Sequence, residues 1–194
     1  MLIKKVFRLY SEKCRKKRAE FFLNLLKPTP RNKILDLGSG DGSHIASIIP
    51  FRKNVYLADI SAEDLKRAKK YGFEKTILLK EDDSMLPFPD KYFDIVFCSS
   101  VIEHVTGPKN KIIKIKENRL FSELAFKYQL SFANEIRRIS KRYFVQTPYK
   151  YFLIESHTWL LFIIVLLPRE LQIRLIDFLN NTKWPKKLLL IGIF

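Results

Sequence analysis

Histidine and cysteine are scarce in this 194-residue chain, three of one and two of the other, and that scarcity leaves whole classes of chemistry without support. Cys14 and Cys98 stand far apart and form no C-x-x-C pair or Cys/His cluster, so neither a disulfide framework nor a zinc site is indicated, and a reducing compartment fits best. His44, His104 and His157 make no H-E-x-x-H pattern, and there is no G-x-S-x-G elbow, so no metal site and no serine-type acyl transfer is expected. Long apolar runs are missing too. The N-terminal stretch MLIKKVFRLYSEKCRKKRAEFF is broken by Lys4, Lys5, Arg8 and Lys13, so it lacks the apolar core of a signal peptide, and the expected location is cytoplasmic. The run TWLLFIIVLL, Thr158 to Leu167, stops at Pro168 and falls well short of the ~20 residues that cross a bilayer. Acidic residues are the minority charge, 20 against 36 basic for a net +16, which raises the prior for anionic partners such as nucleic acid, an acidic membrane surface or an anionic substrate.

What is present is ample for a core, because 47% of the residues are hydrophobic and the length suits one domain with an appendage. Ile3, Val6, Phe7, Tyr10, Cys14, Phe21, Phe22, Leu25 and Leu26 recur at helical spacing until Pro28 and Pro30, which predicts one or two amphipathic helices over residues 1–30. From there strands and helices alternate. KILDL, NVYLAD, KTILLK, FDIVFCS and RYFVQT read as five strands, with helices in GSHIASII, in AEDLKRAKKYG and along the pattern from Leu120 to Ile139. Alternation of this kind predicts a doubly wound, mostly parallel α/β sheet of Rossmann-like type over residues 31–150. Residues 151–194 read as an apolar and basic helical region with a possible last strand in KLLLIGIF. The Lys-rich KNKIIKIK, Lys109 to Lys116, is most simply a solvated loop or helix start.

The stretch ILDLGSGDG, Ile34 to Gly42, runs from a strand into three glycines spaced two apart. Such a turn lets main-chain N–H groups and a helix N-terminus approach a ligand without intervening Cβ atoms. The dinucleotide pattern G-x-G-x-x-G would need glycine or alanine at position 43, where Ser43 stands. Asp36, at the end of the first strand, would repel a pyrophosphate and suits a ligand bearing positive charge. Asp59 ends the second strand, and Glu81, Asp82 and Asp83 follow the third. In an open α/β sheet all of these are expected to face one crevice at the carboxyl ends of the strands.

The segment EDDSMLPFPDKYFDIVFCSSVIEHV resembles the class I S-adenosylmethionine-dependent methyltransferases, in particular the type 11 domain branch with its G-D-A-x-x-L-P-F-P-D-x-x-F-D pattern. The likeness runs from Asp82 through Leu86, Pro87, Phe88, Pro89 and Asp90 to Phe93 and Asp94; Glu81 and Asp83 stand where the family often has glycine and alanine. A second likeness covers NEIRRISKRYFVQTPYKYFLIESH, Asn134 to His157. The resemblance implies S-adenosylmethionine as cofactor, with Asp36 near its ammonium group, the turn Gly38, Ser39, Gly40 and Gly42 around the methionine portion, Asp59 and Ile60 at the ribose, Asp82 and Asp83 at the adenine, and Ser99 bordering the site. A donor carrying an ammonium, a sulfonium and one carboxylate, without phosphate, is the ligand that acidic strand ends complement. Glu103, His104, Glu155 and His157 are the candidates for a general base, needed only where the acceptor must lose a proton. Ser100 to Glu103 also has the S-x-x-E spacing of a capping box, a purely structural role.

The reading is therefore a methyltransferase acting on a small-molecule or lipid-linked acceptor. Its competitors are a non-catalytic S-adenosylmethionine-binding module and an RNA-binding methyltransferase or adaptor that uses Arg15, Lys16, Lys17 and Arg18 on phosphates. An NAD-dependent dehydrogenase is a weaker competitor. The family usually finishes with an antiparallel hairpin, and only KLLLIGIF could supply part of one here. Trp159, Phe162 and Trp184 near Arg169, Arg174, Lys183, Lys186 and Lys187 have a composition that can dock on anionic lipid.

Overall fold

The computed structural model describes residues 2–80, 85–112, 114–147 and 167–182. Their elements, in chain order, are α1 (Leu2–Leu26), β1 (Ile34–Leu37), α2 (Ser43–Ile48), β2 (Val55–Asp59), α3 (Ala62–Ala68), β3 (Lys75–Leu78), β4 (Phe93–Ser99), α4 (Lys109–Ile112), α5 (Asn118–Ile139), β5 (Ser140–Gln146) and α6 (Arg169–Asn180). The five strands form one sheet in the order β3-β2-β1-β4-β5. β1 pairs in parallel with β2 and with β4, and β2 in parallel with β3. This is the mostly parallel Rossmann-like α/β fold expected from the alternation. The chain direction across the sheet reverses between β1 and β4, which puts the turn after β1 at the switch point where such folds bind ligands.

Two compact units are present. The first comprises residues 1–79, 87–98 and 137–145; the second comprises 80–86, 99–136 and 146–194. In the first, all four β1 residues are buried, Asp36 among them, whereas β3 is a half-exposed edge. Its core joins Ile34, Val55, Leu57 and Ile95 of the strands to Ile45 and Ile48 of α2 and to Phe22 and Leu26 of α1. Phe97 and Phe144 lie parallel with ring centres 5.7 Å apart, and Phe22 meets Phe97 edge-on at 4.8 Å. The N-terminal helix is single and ends before Pro28 and Pro30.

Helix ends follow local chemistry. Ser61 caps α3 by accepting from the Asp64 N–H at 3.2 Å, and Glu63 and Asp64 favour the positive end of the helix dipole. Gly72, at φ 66°, closes the following turn, a left-handed stop that glycine adopts without steric cost. At the far end of α2, the Arg52 guanidinium donates to the carbonyls of Ile49 (2.6 Å), Phe51 (2.9 Å) and Ala46 (3.1 Å), groups that a helix terminus leaves unpaired.

The second unit is organised by α5 and α6. Ile112, Phe121 and Ala125 make its cluster. Arg169 is buried; its Nε and Nη2 donate to the carbonyls of Ile115 (2.7 Å) and Ile112 (3.2 Å), and its guanidinium lies 3.6 Å from the Phe121 ring centre. Burial lowers the Arg169 pKa from its ordinary value. The Lys-rich stretch behaves as a solvated helix start: Lys111, Lys114 and Lys116 are exposed while Ile112 is buried. The apolar run and the possible last strand lie outside the described residues, apart from Leu167.

Candidate functional site

β1 delivers the chain into the glycine turn with Gly38, Gly40 and Gly42 at φ 76°, 53° and 72°, a conformation that β-carbons disfavour. The Gly38 N–H donates to the Ala58 carbonyl at 2.8 Å, extending the β1 to β2 ladder by one rung, and the Gly42 N–H closes on the Ser39 carbonyl at 3.0 Å. Asp59 is the last residue of β2. Its Oδ2 accepts from the Gly40 N–H at 2.7 Å and its Oδ1 from the Ser61 N–H at 2.9 Å, so one carboxylate ties the glycine turn to the start of α3. Each carboxylate oxygen keeps further acceptor capacity.

The glycines divide by what surrounds them. A β-carbon on Gly40 would meet nothing within 4 Å, so its backbone faces open space; one on Gly42 would stand 2.8 Å from Leu57 Cδ1 and 3.0 Å from Phe73 Cε2. Gly42 is thus required by packing, a reason not visible in the spacing. Ser39 is buried in the turn and Ile60, just past Asp59, is 52% exposed.

Asp36 is the electrostatic anomaly. It is 3% exposed, and burial first, then the Asp59 carboxylate, push its pKa from 3.8 up to about 8. An acid so placed stays protonated near neutrality until a cation arrives. On the other flank, Asp41 accepts from the Ser43 N–H at 3.0 Å, and hydrogen bonding to Ser43 lowers its pKa. His44 is held below its ordinary pKa by burial and then by the charges of Arg15 and Arg18.

The first unit therefore gathers Asp36, Gly38, Ser39, Gly40, Gly42, Asp59 and Ile60 at one sheet edge. Ser99, Glu103 and His104 belong to the second unit. There Ser99 Oγ lies 2.8 Å from Gln146 Oε1. The capping box expected at Ser100 is not formed: Ser100, at φ 58°, spends its N–H on the Gln146 carbonyl at 2.7 Å, and the helical turn Ile102–His104 starts from Val101 without a side-chain cap. Both Glu103 oxygens are buried without a hydrogen-bond partner, and burial raises the Glu103 pKa. Asp82, Asp83, Glu155 and His157 lie outside the described residues. Among the described residues no cluster of His, Cys, Asp and Glu could hold a metal ion.

Sequence reasoning missed the anchors. Glu135 accepts from the Leu86 N–H at 2.7 Å, Arg138 donates to the Phe88 carbonyl (2.7 Å) and pairs with Asp90 (2.9 Å), and Gln146 holds Ser99. The acid and base three residues apart near the end of α5 were the available signal.

A family described as a methyltransferase domain matches residues 35–117. The chain is 32% identical over 100 residues to a ubiquinone/menaquinone biosynthesis C-methyltransferase of Ectopseudomonas mendocina, a match covering 47% of this chain and 39% of that protein. Its counterpart in Stutzerimonas stutzeri is 33% identical over 89 residues, covering 42% and 35%. The chain thus spans well under half the length of the curated relatives it matches. Among solved structures, a SAM-dependent methyltransferase from Aquifex aeolicus is similar at 21% identity, with a TM-score of 0.42 and coverage of 63% of this chain and 58% of that one.

Proposed function

We propose that the chain binds S-adenosylmethionine at the β1 to β2 edge and transfers its methyl group to a small-molecule or lipid-linked acceptor. The observation that carries this reading is the Asp59 carboxylate clasping the Gly40 and Ser61 N–H groups beside a buried Asp36. Such a site is acidic and open where a Gly40 β-carbon would stand. The donor set fits a nucleoside bearing an ammonium group. Asp36 would hold that ammonium, the Gly38 to Gly42 turn the methionine portion, and Asp59 the ribose hydroxyls, with Ile60 against the nucleoside and Asp82 and Asp83 at the adenine.

When bound, the cofactor supplies a methyl group on a sulfonium, an electrophile already activated by its charge. The residues of this chain then have two tasks. The first is alignment, because holding acceptor and donor in line contributes roughly 7 to 11 kcal/mol towards the barrier in well-oriented reactions. The second is proton transfer, wherever the accepting atom carries a proton. Glu103 suits it, since its carboxyl is desolvated and its pKa raised, which strengthens it as a base once ionised. Likeness to quinone C-methyltransferases favours an apolar, enolisable or phenolic acceptor, for which carbon becomes nucleophilic as the hydroxyl loses its proton.

The test is single-turnover transfer of labelled methyl from S-adenosylmethionine to a short-chain quinol, followed by product analysis. Transfer to carbon is expected, and Glu103→Gln should slow it. Binding of S-adenosylhomocysteine without turnover on any quinol, phenol or RNA would replace this reading with a non-catalytic cofactor-binding module.

A further inference from the structure

Helix α1 is long for what the core takes from it. At 25 residues it extends about 37 Å at 1.5 Å per residue. Of its described side chains, the core cluster of the first unit takes only Ala19, Phe22, Leu23 and Leu26. A second apolar stripe lies well round the helix from that face. Among the described side chains Cys14, Phe21 and Leu25 follow at intervals of seven and four, which places them along one side of the helix. At its described end, Phe21 is 60% and Leu25 57% exposed, although Phe21 keeps an edge contact with Phe144 at 6.0 Å.

Charge says what this stripe faces. The helix holds eight basic residues against two acidic ones. By the same spacing Lys13 and Lys17 fall on one margin of the stripe and Arg18 on the other. Lys13, Arg15, Lys16 and Lys17 are all exposed. An apolar band edged by Lys and Arg is the pattern of a helix lying in a headgroup layer. The described helices include none long and apolar enough to cross a membrane, so contact through α1 would be peripheral. A second copy of α1 on the stripe would bring two strongly basic helices together, and an RNA backbone would leave Phe21 and Leu25 without use.

We propose that α1 is an interfacial helix that docks the protein on an anionic lipid surface through the stripe ending in Phe21 and Leu25, with Lys13 and Lys17 over the headgroups. The surface acts independently of the methyl-transfer reading, and a lipid-linked acceptor would be met there.

The experiment is co-sedimentation of the full chain with phosphatidylcholine vesicles, with and without about 30 mol% phosphatidylglycerol, at low and high salt. Binding is expected only with the anionic lipid, and it should fall in high salt. Lys13→Gln with Lys17→Gln should weaken binding roughly thirtyfold, taking about 1 kcal/mol for each basic residue at the surface. Phe21→Gln with Leu25→Gln should weaken it roughly tenfold or more through lost apolar insertion. Unchanged melting temperatures establish that both double variants fold. The proposal is overturned by equal binding to neutral vesicles, by unimpaired binding of both variants, by RNA affinity in place of vesicle binding, or by a dimer that Phe21→Gln dissociates. Stabilisation by S-adenosylhomocysteine is read separately, so failure of the lipid test leaves the cofactor reading standing and the reverse also holds.

Discussion

The buried Asp36 gives a pH dependence that can be worked through. Its pKa rises from 3.8 to about 8 on folding, so the folded chain keeps a proton that the unfolded chain releases above about pH 4. The group's contribution to stability is therefore full below pH 4, declines as pH rises, and levels off above pH 8. At 1.36 kcal/mol per unit, folding loses about 3 kcal/mol between pH 5 and pH 7 from this group alone. Asp36→Asn keeps the shape and abolishes the titration. In urea unfolding without ligand, the variant should be the more stable at pH 7, by up to about 4 kcal/mol, and the two proteins should converge towards pH 4. Ligand reverses the preference, because an ammonium group needs the ionised carboxylate. Only about 1% of the apo protein is ionised at pH 6 and about half at pH 8, so affinity for S-adenosylhomocysteine should climb roughly fiftyfold over that interval in the native chain and stay flat in Asp36→Asn. Parallel stability curves for the two proteins from pH 5 to pH 8 would refute the reasoning.

The glycine turn separates packing from binding. Gly42→Ala places a β-carbon 2.8 Å from Leu57 Cδ1 at φ 72° and should cost more than about 2 kcal/mol in unfolding experiments. Gly40→Ala meets no atom and should cost only about 1 kcal/mol, yet it should weaken S-adenosylhomocysteine binding in a thermal-shift titration. Glu103→Gln should leave melting unchanged, lower kcat more than KM, and remove the acidic limb of the pH–rate profile that an ionising base produces. Arg169→Lys cannot reproduce the fork that reaches the Ile112 and Ile115 carbonyls while stacking on Phe121, so limited proteolysis should cut around α6 sooner in the variant.

The succession of strands and helices along the chain was legible because each element is bounded by its own punctuation: Pro50 after α2, Gly72 after α3, and Pro28 and Pro30 after α1. The acids at the ends of β1 and β2 could be placed for the same reason, since a strand end is where the hydrophobic run stops. The family-like run from Leu86 to Asp94 was recognisable, but much of what it does lies at the start of β4. Asp94 accepts from the Lys33 N–H at 2.9 Å and pairs with Lys141 at 2.8 Å, and Phe88, Tyr92 and Phe93 pack edge-to-face. Resemblance to a motif does not distinguish a residue that holds a turn from one that holds a ligand. Asp59 shows the same limit, because its bond to Gly40 joins positions 19 apart and no local pattern encodes it. Glu103 misled in the opposite direction: S-x-x-E spacing makes a capping box only if the Ser100 N–H is left for Glu103, and a long-range bond to the Gln146 carbonyl takes that N–H.

The central claim is that acids converging on one sheet edge select a cationic nucleoside. Titration calorimetry of the full chain with S-adenosylhomocysteine and, separately, with NAD tests it most directly. Heat from one site with the first ligand, its loss in Asp59→Ala and none with NAD is the predicted result; a clear signal with NAD and silence with S-adenosylhomocysteine would contradict it.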